Sequence, residues 1–299
     1  MRRRLRVIGE APSLRALERW AAALPHEVEL VEGSSPIAGQ ADALLLVGQG
    51  RFAPSTRLRG PVLRREDGAL IPVAWLPDDA PGPWVEASLR VYERPPTPPF
   101  VALLAQWQWR FLDLCGRLER LLRDGGVAAE RLSSERVLRR DLLDALIRGP
   151  ALAVYFGHGR PSGWVGYRGF RHRHLDFVRG EPMAALFSLT CRTASRKGNW
   201  RSFSERVVLS GHAAASLGAV GPTLHADNAS WAVGLARALA EGAETVGELV
   251  VKAHPPGRSV TPYRLIGDPL APLRAAEGVQ AALQRLLAEA APVAADAME

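Results

Sequence analysis

The chain has 299 residues, 47% of them hydrophobic and 23% charged, and a net charge of +7. This balance fits a soluble globular protein with one large or two modest α/β domains, and two cysteines exclude a disulfide framework. Charged or polar residues interrupt every apolar stretch before it reaches membrane-spanning length, and the basic start Met1-Arg-Arg-Arg-Leu-Arg meets Gly9, Glu10 and Pro12 too soon for a signal-peptide core, so the expected address is the cytoplasm.

In chain order, Leu5–Ile8 reads as a strand, and Ser13 caps an amphipathic helix with Leu14, Leu17, Trp20, Ala21 and Leu24 on one face. Val28–Val31 and Ala43–Val47 are further strands. The Gly48-Gln-Gly50 that ends the second lacks the third glycine and downstream acid of a dinucleotide site, and reads as a turn. Leu70–Leu76 is a strand whose Pro72 predicts an edge or a strand start. Residues 1–94 thus form a small α/β lobe. Arg94-Pro-Pro-Thr-Pro-Pro99 bounds it, because consecutive prolines favour semi-rigid extended chain.

The second domain, 95–275, opens with a strand at Phe100–Ala105. A helix follows, carrying Leu112, Cys115, Leu118, Leu121 and Leu122 at helical spacing and stopping at Gly125-Gly126. Val127–Leu132 is a strand, and Ser133 or Ser134 caps a helix running to Ile147. The apolar run Leu152–Phe156 ends abruptly in Gly157-His158-Gly159. After a Gly- and Arg-rich interval, a second run, Ala184–Thr190, ends in Cys191-Arg192. Phe203–Ser210, Asn228–Leu239 and Thr245–Ala253 read as helices, Ala213–Val220 as a buried strand, and Val260–Leu265 as a returning segment. The remainder, 276–299, holds an amphipathic helix over Gln280–Ala291. Strands alternating with crossover helices predict a three-layer α/β/α domain around a mostly parallel sheet, preceded by the smaller α/β lobe.

Short apolar runs bounded by turn residues fit buried parallel strands, whose carboxyl ends bind ligands in open α/β sheets. His158 and Cys191 stand at two such ends, where an imidazole and a thiol make a base and a nucleophile. Gly157 and Gly159 let backbone approach a ligand closely. Cys115, in an apolar helical stripe, reads instead as a small buried hydrophobe. Asp176 and Glu181 lie between the pair, yet nothing places either behind the imidazole. The expectation is therefore a dyad, with a backbone carbonyl orienting His158.

His172, His174 and Asp176 have metal-ligand spacing in an Arg-rich interval, but no metal is assigned to them. Arg160, Arg168, Arg171, Arg173 and Arg179 read as a solvated basic loop. The positive charge raises a nucleic-acid hypothesis, but nearly all of it is Arg spread along the chain, a skew that GC-rich codons also produce, so nucleic acid is the disfavoured partner.

Five segments in this order, Tyr155-Phe-Gly-His-Gly159 with Ser162-Gly-Trp164, Ser188-Leu-Thr-Cys191, Ser202-Phe-Ser-Glu205 with Gly211–Gly221, Asp227-Asn-Ala-Ser-Trp231, and Tyr263–Pro269, resemble the caspase-like cysteine peptidases of the gingipain (C25) and CHAT type. The resemblance runs from about Phe100 to Leu273 and implies a bacterial cysteine endopeptidase that acts through an acyl-enzyme on a protein or peptide substrate. It implies an oxyanion hole from the amides of Gly159 and Cys191, and a substrate pocket involving Trp231, Ser230 and Asp227, although Asp227 also reads as a helix cap. Gln106, Gln108 and Arg110 occupy the region where relatives hold a pocket charge, and Gln106 is counted with the pocket. No cofactor is required, though some relatives use calcium, and an activating partner protein is left open. Two other readings stand beside it: a catalytically silent interaction module of the same fold, and a basic nucleic-acid-binding α/β protein.

Overall fold

The computed structural model describes residues 2–34, 37–48, 60–77, 81–133, 137–255, 263–277 and 279. The turn at residues 49–50, the alternative cap Ser134, residues 260–262 and the helix expected over Gln280–Ala291 lie outside them. The first part comprises β1 (Arg4–Gly9), α1 (Ala11–Ala23), β2 (Glu27–Glu32), β3 (Ala43–Val47), β4 (Val62–Arg64), β5 (Leu70–Leu76) and α2 (Gly82–Tyr92). Then come β6 (Phe100–Ala105), α3 (Trp109–Asp124), β7 (Ala128–Leu132), α4 (Arg139–Leu146), β8 (Leu152–Phe156), the short β9 (Gly159–Arg160) and β10 (Gly163–Trp164), and a one-turn α5 (Gly166–Gly169). The chain continues through β11 (Met183–Leu189), α6 (Phe203–Leu209), β12 (Ala213–Ala219), α7 (His225–Ala240), α8 (Val246–Ala253) and β13 (Tyr263–Gly267).

One 11-stranded sheet runs through the described residues in the order β2-β1-β3-β5-β13-β12-β11-β8-β6-β7, with β4 alongside β5. Neighbours within β2-β1-β3-β5-β13 are parallel, and so are those within β12-β11-β8-β6-β7. The two halves meet at the antiparallel pair β12–β13. The sheet is thus mostly parallel, with helices on its faces, as expected. β8 and β11 are buried at every position, which is why both read as continuous apolar runs and not as alternating ones.

The boundary expected at residue 94 does not divide the sheet, since β13, from the second part of the chain, pairs with β5 of the first, and α2 adds further ties between the two parts. The Trp84 indole N–H donates to Ala214 O at 2.8 Å. Ser88 accepts from the Trp20 indole at 3.1 Å and donates to the Asp268 carboxylate at 2.8 Å. Asp268 is wholly buried, and that burial pushes its pKa up to about 6. Arg94, at the head of the proline run, is itself buried and donates to the carbonyls of Arg274 at 2.8 Å and of Pro182.

One local expectation changes. α1 starts at Ala11, not after Ser13, because Pro12 fits the first turn, where its missing N–H has no helical acceptor to lose; Ser13 is buried within the helix. β5 is interior to the sheet, between β3 and β13, but these pair with it only from Val73 and Ala74 onward, so Pro72 stands at the strand start that the sequence allowed, where β4 is its pairing partner. No helix of the described residues is long and apolar enough to cross a membrane.

Candidate active site

Parallel pairing sets the geometry. Phe156 of β8 is in register with Leu189 of β11 on one side and Ala105 of β6 on the other. His158 and Cys191 each stand two residues past that level. Adjacent strands lie roughly 4.8 Å apart, so His158 and Cys191 leave the sheet from neighbouring strand ends at the same level. Their loops touch: a Cβ on Gly159 would clash with the carbonyl oxygen of Cys191 and come within 2.7 Å of Thr190 Cγ2. The Thr190 hydroxyl donates to Gly157 O at 2.6 Å, tying the two strand ends together. Gly157 is equally confined, since its Cβ would clash with the Tyr155 hydroxyl.

The interval that read as a basic loop is anchored by aromatic packing. Trp164 stacks on Tyr155 with ring centroids 4.3 Å apart, packs on Phe170 at 4.9 Å, and donates its indole N–H to Ser188 Oγ at 2.9 Å. Such ring pairs contribute about 0.5–1.5 kcal/mol beyond area burial. The Tyr155 hydroxyl donates to His158 O at 3.2 Å and accepts from Gly166 N–H at 3.1 Å. The Arg side chains of the interval remain exposed, as expected. Non-glycine residues with positive φ cluster here: Tyr167 at 54°, Arg168 at 57° and Arg192, next to Cys191, at 61°. Strained backbone of this kind persists only where surrounding contacts over-determine it. The Tyr167 hydroxyl accepts from Ala105 N–H at 3.0 Å and donates to Leu132 O.

His158 is exposed at the sheet edge. Gln106, counted with the pocket by the sequence, accepts the His158 backbone N–H at 2.8 Å and so positions the loop. Phe111 meets the imidazole edge to face, centroids 5.3 Å apart. Arg110 Nη2 lies 2.8 Å from His158 Nε2. A guanidinium can only donate, so Nε2 is the acceptor and the ring is a neutral imidazole protonated at Nδ1. Partial burial, and then the Arg110 charge, lower the pKa of His158. The ring's polar partner among the described residues is thus Arg110, not the backbone carbonyl that the sequence suggested. Asp176 pairs with His212 at 2.9 Å and Glu181 with Arg90, so neither carboxylate stands behind the imidazole.

Cys191 is half-buried. Its Sγ receives the Thr223 backbone N–H at 3.3 Å and lies 3.6 Å from the Thr223 hydroxyl. Beyond Thr223, the buried Tyr263 hydroxyl donates to Asn228 Oδ1 at 2.6 Å. Cys115 contrasts with it: wholly buried on the inward face of α3, its thiol is pushed up to about 12 by that burial. Neither Thr223 nor the Arg110–His158 contact was anticipated, because both depend on tertiary neighbours that no sequence spacing marks.

The other pocket residues separate. Trp231, expected to line the pocket, is only 1% exposed and packs against Tyr263 and His254. Its indole lies on the same inward face of α7 as Asn228 and Leu235, so it is a core residue here. Asp227 and Ser230 keep part of their surface on the first turns of α7, and the Ser230 hydroxyl donates back to Ala226 O at 2.9 Å. A groove of about 610 Å³ runs between α3 and α7 beside Arg110 and His225, with Leu114, Leu118, Ala229 and Ala232 in its lining. His172, His174 and Asp176 take separate partners, Arg206, the Arg171 amide and His212, and no three-ligand metal cluster exists among the described residues.

This sheet, with a thiol and an imidazole at adjoining strand ends, defines the class as a caspase-like cysteine peptidase. The chain belongs to peptidase family C25, whose model matches residues 119–274. It resembles the crystal structure of the Arg-specific cysteine proteinase gingipain R, with TM-score 0.72 and 14% identity over 91% of this chain and 78% of that one. The complex of Porphyromonas gingivalis RgpB pro- and mature domains aligns at TM-score 0.69 and 16% identity over 91% and 80%. The Saccharomyces cerevisiae separase–securin complex aligns at TM-score 0.53 and 14% identity, over 77% of this chain and 16% of that chain. At these identities the structures share a fold. No curated protein matches the sequence.

Proposed function

We propose that the protein is an endopeptidase using Cys191 as nucleophile and His158 as its base. The thiol loses its proton to the imidazole and attacks the scissile carbonyl. The imidazolium then protonates the departing amine, and water releases the acyl group from sulfur. Thr223 supports this reading, because its amide N–H donates to Sγ and its hydroxyl lies within hydrogen-bond reach of it, which holds the sulfur in place at the strand end.

The oxyanion would rest on the amides of Gly159 and Cys191. In the β9–β10 hairpin, Val165 N–H bonds His158 O at 2.9 Å, which makes Gly159–Trp164 the next, non-hydrogen-bonded pair with amides directed outward. The Trp164 amide does turn outward, to Phe170 O. One such donor typically contributes about 2.7–4 kcal/mol in the transition state.

The observation that carries the reading is the closure of Gly159 on the Cys191 carbonyl, which brings the two loops together with no room for a side chain. A silent interaction module has no need for this confined thiol–imidazole pair. The expected substrate is a protein or peptide, and an activating partner is proposed only as a companion to it. The test is turnover of a peptide library by Cys191→Ala and His158→Ala, with thermal melts alongside. Cys191→Ala abolishes cleavage and His158→Ala loses about 10²–10⁴-fold. Wild-type cleavage by folded Cys191→Ala would remove the assignment.

A further inference from the structure

Arg110 is not absorbed by this mechanism, and in one respect it opposes it. A cation donating to His158 Nε2 disfavours the imidazolium that the reaction must form. Its geometry also leaves it without an anionic partner. Asp113, one turn along α3, pairs with Arg117 at 2.9 Å, and no carboxylate contacts Arg110 among the described residues. The first turn of α3 contains no acidic residue, and its N-cap, Gln108, makes no side-chain cap bond. The exposed Arg110 guanidinium, resting 4.6 Å over the Phe111 ring, thus belongs to the first turn of a 16-residue helix, at its positive end.

Resting on the proposed dyad, we infer that Arg110 is a specificity-determining residue that selects peptide substrates bearing an Asp or Glu side chain close to the scissile bond. The arrangement works as an exchange. In the free protein the guanidinium donates to the neutral imidazole. A substrate carboxylate offers two acceptor oxygens and a full charge, which bind an Arg fork far better than one ring nitrogen does. When the guanidinium turns to that carboxylate, His158 Nε2 is freed for the thiol proton, and the compensated positive charge no longer opposes the imidazolium. Peptide residues repeat every 3.3–3.6 Å or so, so the acidic residue falls within about two positions of the scissile bond. Arg110 is part of the lining of the groove between α3 and α7, which leaves room for the side chain.

The test uses the full chain and a set of quenched peptides, identical except for Glu, Gln or Arg at each position flanking the scissile bond. At one position the wild type prefers Glu over Gln by about 10- to 100-fold in kcat/KM, the range for a charge-assisted hydrogen bond, and Arg is poorest. Arg110→Gln removes the preference and Arg110→Lys retains part of it. A second arm needs no turnover: alkylation of Cys191 by iodoacetate and by iodoacetamide, quantified by mass spectrometry. The ratio of the anionic to the neutral reagent's rate falls severalfold in Arg110→Gln. Equal cleavage of the three peptides by the wild type, or an unchanged preference and reagent ratio in Arg110→Gln, overturns the inference. Cleavage that survives Cys191→Ala sinks the dyad instead, so the two failures are distinguishable.

Discussion

The two thiols of this protein sit in very different surroundings, one on a helix and one just past a strand end. Cys115 lies on the buried face of α3 with Leu114, Leu118 and Leu122, where burial outweighs the nearby Ser133 and Arg131 and holds the thiol protonated. Cys191 stands at the end of β11, half-exposed, with a backbone amide donating to its sulfur, a hydroxyl within 3.6 Å of it, and His158 just past the end of the next strand. A cysteine in a helix stripe can be inert filling, whereas a cysteine at a parallel strand end has neighbours that a core cannot supply. The contrast comes from position in the fold, a helix face for Cys115 and a strand end for Cys191, since both residues follow apolar sequence.

The largest effect that would break this contrast comes from Gly159→Ala. The new Cβ collides with the Cys191 carbonyl and Thr190, so the Gly159 amide must move. We expect kcat to fall by about 10²–10³ in a protein that still melts cooperatively, the loss associated with one oxyanion donor. A wild-type kcat would show that this amide lies outside the reaction.

The pH profile sharpens the comparison next. His158 has its pKa lowered, by partial burial first and then by Arg110, so it remains a neutral base below its ordinary value of 6.5. The acid limb of kcat/KM therefore lies below pH 6.5 and activity persists as pH falls toward it. Arg110→Gln removes one of the two causes and moves the limb upward. A limb above pH 6.5 in the wild type would contradict the neutral resting imidazole.

Smaller effects follow at the sulfurs. Thr223→Val keeps the amide and loses the hydroxyl, so alkylation of Cys191 at neutral pH slows less than tenfold, as befits a single hydrogen bond; Thr223→Ser restores it. Cys115→Ala leaves turnover unchanged and lowers stability by about 1 kcal/mol, comparable to deleting one buried heavy group. Loss of turnover in folded Cys115→Ala would reverse the roles of the two thiols.

Much of this was legible in the sequence, for physical reasons that also explain the gaps. β8 and β11 were visible because strands buried on both faces are apolar throughout, and their abrupt ends marked His158 and Cys191. α2 was not read, since its inward face is carried by Trp84, Ala87, Ser88 and Val91, too small and polar for a clear stripe. Trp231 was assigned to the pocket by resemblance, although its helical spacing with Asn228 and Leu235 already matched a core face. Thr223 reaches Cys191 only because β12 lies beside β11, and Arg110 reaches His158 only because β6, which leads into α3, lies beside β8. Neither contact leaves a mark in local periodicity.

The central claim is that Cys191, paired with His158, is the acylated residue. Its most direct test is to treat the wild type with a peptidyl electrophile at neutral pH and locate the adduct by peptide mass spectrometry, with His158→Ala in parallel. The account predicts one stoichiometric adduct on Cys191, none on Cys115, and a much slower reaction in His158→Ala. Modification of Cys115 alone, or labelling of Cys191 at the same rate without His158, would contradict it.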